Sequence, residues 1–158
     1  MATTPSSAPV PPAEIVVSNP RTEEQLYRFE EPADAALDGA YAAAAAGWQR
    51  YRRLSVRERV AEVTKLKRYV LEHKETIVQR ICEETGKPRM EALLTEIFPT
   101  LDLIQYYEKH AAKILRDEKH ATPLVLMGKK SRVYYEPLGV VLIISPWNYP
   151  FNLAMTPI

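Results

Sequence analysis

The chain has 158 residues, 46% of them apolar, with 21 basic against 20 acidic side chains and a single cysteine. This is the composition of a water-compatible globular chain of roughly one domain; it leaves no excess positive field for nucleic-acid phosphates, no internal disulfide framework, and no apolar run near the ~20 residues that span a bilayer. Neither a basic residue nor an apolar core of signal-peptide length precedes Arg21, so the expected compartment is the cytoplasm.

Residues 1–18 read as a disordered tail, most plainly up to Pro12, where prolines at 5, 9, 11 and 12 alternate with Ser, Thr and Ala and too little apolar surface is present to offset the entropy of ordering. From Pro32 to Gln49 alanine dominates, predicting a helix with Pro32 in its first turn and Asp34 near its positive end, packed closely against its neighbours. Ser55 and Glu58 form a capping-box pattern that opens a second helix. Its apolar positions, Val56, Val60, Val63, Leu66, Val70, Ile77 and Ile81, recur every three or four residues and define one buried stripe. Gly86 ends that helix and Pro88 starts the next, which carries Ala92, Leu93, Ile97, Leu101, Ile104 and Ala111 inward. Pro99 must kink or split it, because its ring removes a backbone donor and crowds the preceding turn.

Beyond a loop around Thr122, Pro123 and Gly128 the period changes to two: Arg132, Tyr134 and Glu136 alternate with Val133 and Tyr135, predicting a strand with one exposed face. The turn Pro137-Leu138-Gly139 leads into the continuous apolar run Val140, Val141, Leu142, Ile143 and Ile144, which predicts a buried strand. That run empties into Ser145-Pro146-Trp147-Asn148-Tyr149-Pro150. Two prolines bracket Asn148, each fixing its own φ and extending the residue before it, so the loop is stiff and its amide can be held still. An amide held in a cleft can stabilise developing negative charge; an asparagine beside proline can equally bond its own backbone and serve only the turn. Ser145, Pro146 and Trp147 likewise admit a simple packing role.

The stretch from Tyr135 to Phe151 resembles the strand and P-W-N-(F/Y)-P loop of the aldehyde dehydrogenase superfamily, and most of all its dimeric, class-3-like branch. Glu84-Thr85-Gly86-Lys87-Pro88 is similar to the family's E-T-G-K-P turn between two helices, and Asn19-Pro20-Arg21-Thr22 to its opening N-P-x-T. The resemblance implies an α/β fold in which residues 19–158 are the amino-terminal part of a Rossmann-like NAD(P)-binding domain, with an oligomerisation hairpin at about 122–138. It implies oxidation of an aldehyde to a carboxylic acid through a cysteine thiohemiacetal and thioester, with NAD or NADP as cofactor. In that chemistry Asn148 would donate its amide to the oxyanion, Ile144, Ser145, Pro146 and Trp147 would line the dinucleotide groove, and Tyr149 would face the substrate tunnel. The implied partners are a small aldehyde and further copies of the chain, as a homodimer or homotetramer, with neither nucleic acid nor membrane.

Only the asparagine of that apparatus is expected within 158 residues, so the chain reads as an amino-terminal fragment that is inactive alone. Reductive or acyl-transferring relatives would share the loop. Cys82 sits in a helix beside inward-facing Ile81, has no companion histidine, and reads as structural. His73, His110 and His120 have no metal-ligand spacing, and Gly86 and Lys87 lack the glycine-rich strand-to-helix context of a phosphate loop, so they read as a turn. From another class stands a non-catalytic truncated paralogue, a helical interaction module docking through the apolar strand.

Overall fold

The structure, a computed structural model, describes residues 13–158. The expected tail falls outside these residues up to Pro12, but its last part is ordered. Strand β1 (Glu14–Ser18) pairs antiparallel with β2 (Gln25–Glu30), placing Ile15 opposite Phe29 and Val17 opposite Tyr27. The expectation of disorder through residue 18 is thus corrected, because a backbone ladder and cross-strand apolar pairs offset the ordering entropy. Asn19 shapes the connection: its Oδ1 accepts the N–H groups of Arg21 at 2.9 Å and Thr22 at 3.3 Å.

Helix α1 (Asp34–Tyr51) forms where the alanines predict it, but none of its residues is buried. Close packing was the wrong expectation for a helix whose methyl groups offer little area and no apolar stripe to bury. Helix α2 (Val56–Thr85) starts on the predicted capping box, with the Glu58 N–H bonding Ser55 Oγ and the Ser55 N–H bonding Glu58 Oε2 at 2.7 Å. Pro99 splits the following helix, as expected. A four-residue α3 (Arg89–Ala92) runs into a π-helical turn, Leu93–Ile97, before α4 (Phe98–Ile114) continues.

The core lies where α2, α3 and the π turn meet: Val70, Val78 and Ile81 pack on Ala92 and Ile97, with Leu66, Leu93, Leu101 and Phe151 around them. Farther along, α2 and α4 are joined by Glu108, which accepts from Lys67 Nζ at 2.7 Å and Thr64 Oγ1 at 2.8 Å. Strand β3 (Glu118–His120), absent from the sequence reading, pairs antiparallel with β4 (Ser131–Val133), so the predicted strand at 132–136 is shorter and the hairpin starts earlier than residue 122. The class is mixed helix and strand, and among the described residues the strands form two separate antiparallel hairpins. Residues 140–144 are not a strand: Leu142 and Ile144 are 82% and 85% exposed. No described strand lies alongside to satisfy their backbone groups, and an apolar run without neighbours has nothing to pair with. A last short helix, α5 (Asn152–Met155), packs on α4 and the π turn.

Candidate active site

The site is assembled from the end of α2. Thr85 Oγ1 bonds the Ile81 carbonyl at 2.6 Å and Gly86 N–H bonds that of Cys82 at 3.0 Å, closing the helix. Gly86 has φ 71°, the left-handed conformation that a C-terminal glycine adopts at no side-chain cost. A Cβ there would also meet Pro20 Cγ and Arg21 Cγ at 3.3 Å. The turn at 19–22 therefore rests directly on the turn at 84–88. Tyr27 adds a tie between β2 and α2 by donating to Glu84 Oε1 at 2.7 Å; burial first, and this bond second, raise its pKa above the ordinary 10.0.

The left-handed turn sends Lys87 across to the π turn. There Glu96 has no exposed surface, and its Oε1 accepts from Lys87 Nζ at 2.5 Å. Glu96 Oε2 accepts the backbone N–H groups of Phe151 at 3.1 Å and Asn152 at 3.0 Å, at the start of α5. One buried carboxylate thus satisfies the two free donors of a helix end while its own charge is matched by a lysine. The wide π turn makes this possible, because it turns the consecutive residues Glu96 and Ile97 both inward. Thr100, also buried, donates to the Glu96 carbonyl at 2.7 Å, and the same hydroxyl lies 3.2 Å from Asn152 Oδ1, with which its one proton is shared.

Lys87 Nζ has further partners in the loop: the Asn148 carbonyl at 2.8 Å and the Tyr149 ring, whose centroid is 4.0 Å away. The motif segments at 19–22, 84–88 and 145–150, far apart in sequence, are therefore consecutive neighbours in space. Asn148 is exposed, and its bond to Lys87 uses the backbone carbonyl, leaving the side-chain amide outside that contact. Asn152 is the opposite: its Oδ1 accepts from both Thr100 and Thr156, a structural role. Ile144, Ser145, Pro146 and Trp147 form an exposed shelf leading to Asn148, with Trp147 86% exposed, and Tyr149 is half-buried against Lys87.

Sequence reasoning missed Glu96 and reduced Lys87 to a turn residue. The available signal was a charged residue four positions from both Ala92 and Thr100, on an otherwise inward-facing side of the helix. Cys82 packs against the core beneath this turn, and the histidines lie elsewhere on exposed surfaces: His73 stacks on Tyr69, His110 lies over Tyr106, and His120 faces Glu118. Among the described residues no helix is long and apolar enough to cross a membrane.

The family model described as the aldehyde dehydrogenase family matches residues 9–158. The chain belongs to the aldehyde dehydrogenase family. Among its relatives, 4,4'-diapolycopene aldehyde oxidase of Methylomonas sp is 44% identical over 109 residues, covering 68% of this chain and 21% of that protein. Family 3 aldehyde dehydrogenases of Dictyostelium discoideum and Mus musculus match at 35% and 32% identity, each over 63% of this chain and 21% of the relative. The solved structure of an NADP-dependent glyceraldehyde-3-phosphate dehydrogenase from Bacillus halodurans, complexed with NADP, superposes with a TM-score of 0.77 at 29% identity, covering 90% of this chain and 30% of that one. An NAD-dependent benzaldehyde dehydrogenase from Corynebacterium glutamicum gives 0.78 at 27% identity, with the same coverage of both chains. This aldehyde dehydrogenase chain spans 20% to 31% of the length of the curated relatives it matches.

Proposed function

We propose that the chain is the amino-terminal part of a longer NAD(P)-dependent aldehyde dehydrogenase that oxidises an aldehyde to a carboxylic acid, and that Asn148 is its contribution to the oxyanion site. The observation that carries this reading is the fastening of the Asn148 loop: its backbone is tied to a buried ion pair while its amide stays clear of that tie. A donor pre-set in this way costs no reorganisation when charge develops on the carbonyl oxygen. The thiolate that attacks the aldehyde carbon is supplied from outside these residues, since Cys82 is half-buried against the core on α2 and the histidines at 73, 110 and 120 are engaged elsewhere. The C–S bond forms as the carbonyl pair moves to oxygen, and the Asn148 amide hydrogen-bonds that oxygen.

The dinucleotide, when bound, accepts the hydride that leaves the former aldehyde carbon. Residues 144–147 fit it: their backbone takes no part in strand pairing, and Ile144 and Trp147 present open apolar faces on which a flat base can lie. Tyr149 is proposed to border the aldehyde's path, and the hairpin of β3 and β4, with Val133 and Tyr134 exposed, to join subunits.

The test is Asn148→Ala in the polypeptide that carries the whole catalytic apparatus. Its kcat is expected to fall roughly 10²- to 10³-fold with cofactor affinity nearly unchanged. An unaltered kcat removes Asn148 from the oxyanion site. The 158 residues by themselves are expected to turn over no aldehyde with NAD or NADP.

A further inference from the structure

We infer that Lys87 and Glu96 are positioning residues for the Asn148 amide, an ion pair that fixes the oxyanion loop without touching substrate. The inference rests on the reading of Asn148 as the oxyanion donor.

Four residues of the loop and the following helix start are held by these two side chains. Lys87 takes the Asn148 carbonyl at 2.8 Å and lies 4.0 Å from the centre of the Tyr149 ring, while Glu96 takes the N–H groups of Phe151 and Asn152 at 3.1 and 3.0 Å. The contact at the Asn148 carbonyl belongs to the same residue whose side chain must be aimed. Because that residue's amide makes no part of the bond, the lysine sets the backbone and leaves the donor free. The two prolines stiffen the loop internally but cannot orient it against the rest of the molecule; that needs a contact to something rigid. Glu96 supplies it, wholly buried on the π turn and joined to Lys87 at 2.5 Å. The lysine side chain is only 12% exposed, so water competes weakly for it.

The pair also explains two sequence features that packing alone does not. The π turn is where a charged residue can be brought inside without losing Ile97 from the core. The left-handed Gly86 aims the residue after it away from the axis of α2 and toward the loop.

The experiment compares Lys87→Met, Lys87→Arg and Glu96→Gln with Asn148→Ala in the complete enzyme, following kcat, the KM for cofactor, and thermal melting. Lys87→Met keeps an unbranched side chain of similar length and removes the charge and the donor. It is expected to lower kcat about tenfold, since small misplacements of a catalytic group cost up to ~10²-fold. The cofactor KM should stay within about twofold and Lys87→Arg should restore most of the rate. Added to Asn148→Ala, it should lower kcat no further, because a residue that acts through the amide has nothing left to position. In the 158-residue chain, Lys87→Met should speed amide exchange at Phe151 and Asn152, a readout independent of turnover.

A kcat within twofold of wild type in Lys87→Met, while Asn148→Ala collapses, overturns the positioning role and spares the oxyanion reading. A full additional loss in the double variant likewise overturns it. An Asn148→Ala enzyme of normal kcat defeats the oxyanion reading first, and the exchange rates then report on the loop tie alone. If Lys87→Met does not fold, Glu96→Gln carries the same expectations; failure of both to fold would assign the pair to stability only and overturn the inference.

Discussion

Residues 140–144 and residues 149–155 flank the same loop and fare differently. The first group is the longest run of Val, Leu and Ile in the chain, yet it takes up no regular structure and stays largely open to water. The second is longer and more polar, and it is fastened at three residues to Lys87 and Glu96, with Thr100 bonding Asn152 beneath. The lesson concerns what each kind of side chain specifies. Apolar surface says that a segment must be covered but not by what, since the effect scales with area and has no direction. A buried carboxylate specifies its partners, because each lone pair must meet a donor at one distance and angle or the charge is left uncompensated. A single glutamate therefore settles the course of the chain at residues 151–152 where five aliphatic residues settle nothing at 140–144.

The contrast can be broken most strongly from the anchored side. Gly86→Ala forces a side chain onto a left-handed residue and against Pro20 and Arg21 at 3.3 Å. A loss of about 1–2 kcal/mol in urea unfolding is expected, accompanied by loosening of the loop that Lys87 ties down. An unchanged midpoint would mean that the turn at 84–88 is not the base on which the site is built.

A smaller effect is expected away from the site, at Glu108. Its bond from Lys67 is the first cause, with Thr64 adding to it against some desolvation, and the carboxyl pKa lies below the ordinary 4.5. A carboxyl whose pKa is lowered on folding stabilises the fold above its unfolded value, and that stability is lost as pH falls through the lowered one. Glu108→Gln should therefore cost under about 1 kcal/mol at neutral pH, the range for a pair that water still reaches. Unfolding curves taken from pH 7 down to pH 3 should show the gap between variant and wild type closing as the acid limb is reached. A gap that widens on acidification would reverse the assigned sign.

The smallest change belongs to the open run. Leu142→Asp in the 158-residue chain should leave unfolding free energy within about 0.5 kcal/mol, as exposed substitutions do, while reducing association seen by light scattering. A loss well above 1 kcal/mol would place Leu142 in a core and erase the difference between the two regions.

Much of the local structure was legible because its causes are local. Ser55 and Glu58 cap a helix through atoms three residues apart, Gly86 ends it because only glycine is at ease at positive φ, and Pro99 splits the next helix whatever surrounds it. The motif at 145–150 named the family for the same reason: a contiguous pattern needs no knowledge of the fold. What escaped were relations between distant residues. Strand β1 was hidden by the low-complexity residues before it, β3 by its length of three residues, and the open state of residues 140–144 by the fact that continuous apolarity predicts a strand without supplying a neighbour for it to pair with.

From its order of residues alone the chain determined where helices begin and end, which loop is rigid, and to which family that loop belongs, since each depends on backbone sterics and hydrogen bonds spanning a few positions. Tertiary structure alone decided that Glu96 would be buried, that Lys87 would bridge it to Asn148, and that three separate motifs would share one site. Those outcomes depend on the geometry of a π turn and a left-handed glycine acting together on residues 55 to 61 positions apart, and a directional bond of that reach leaves no periodic trace in sequence.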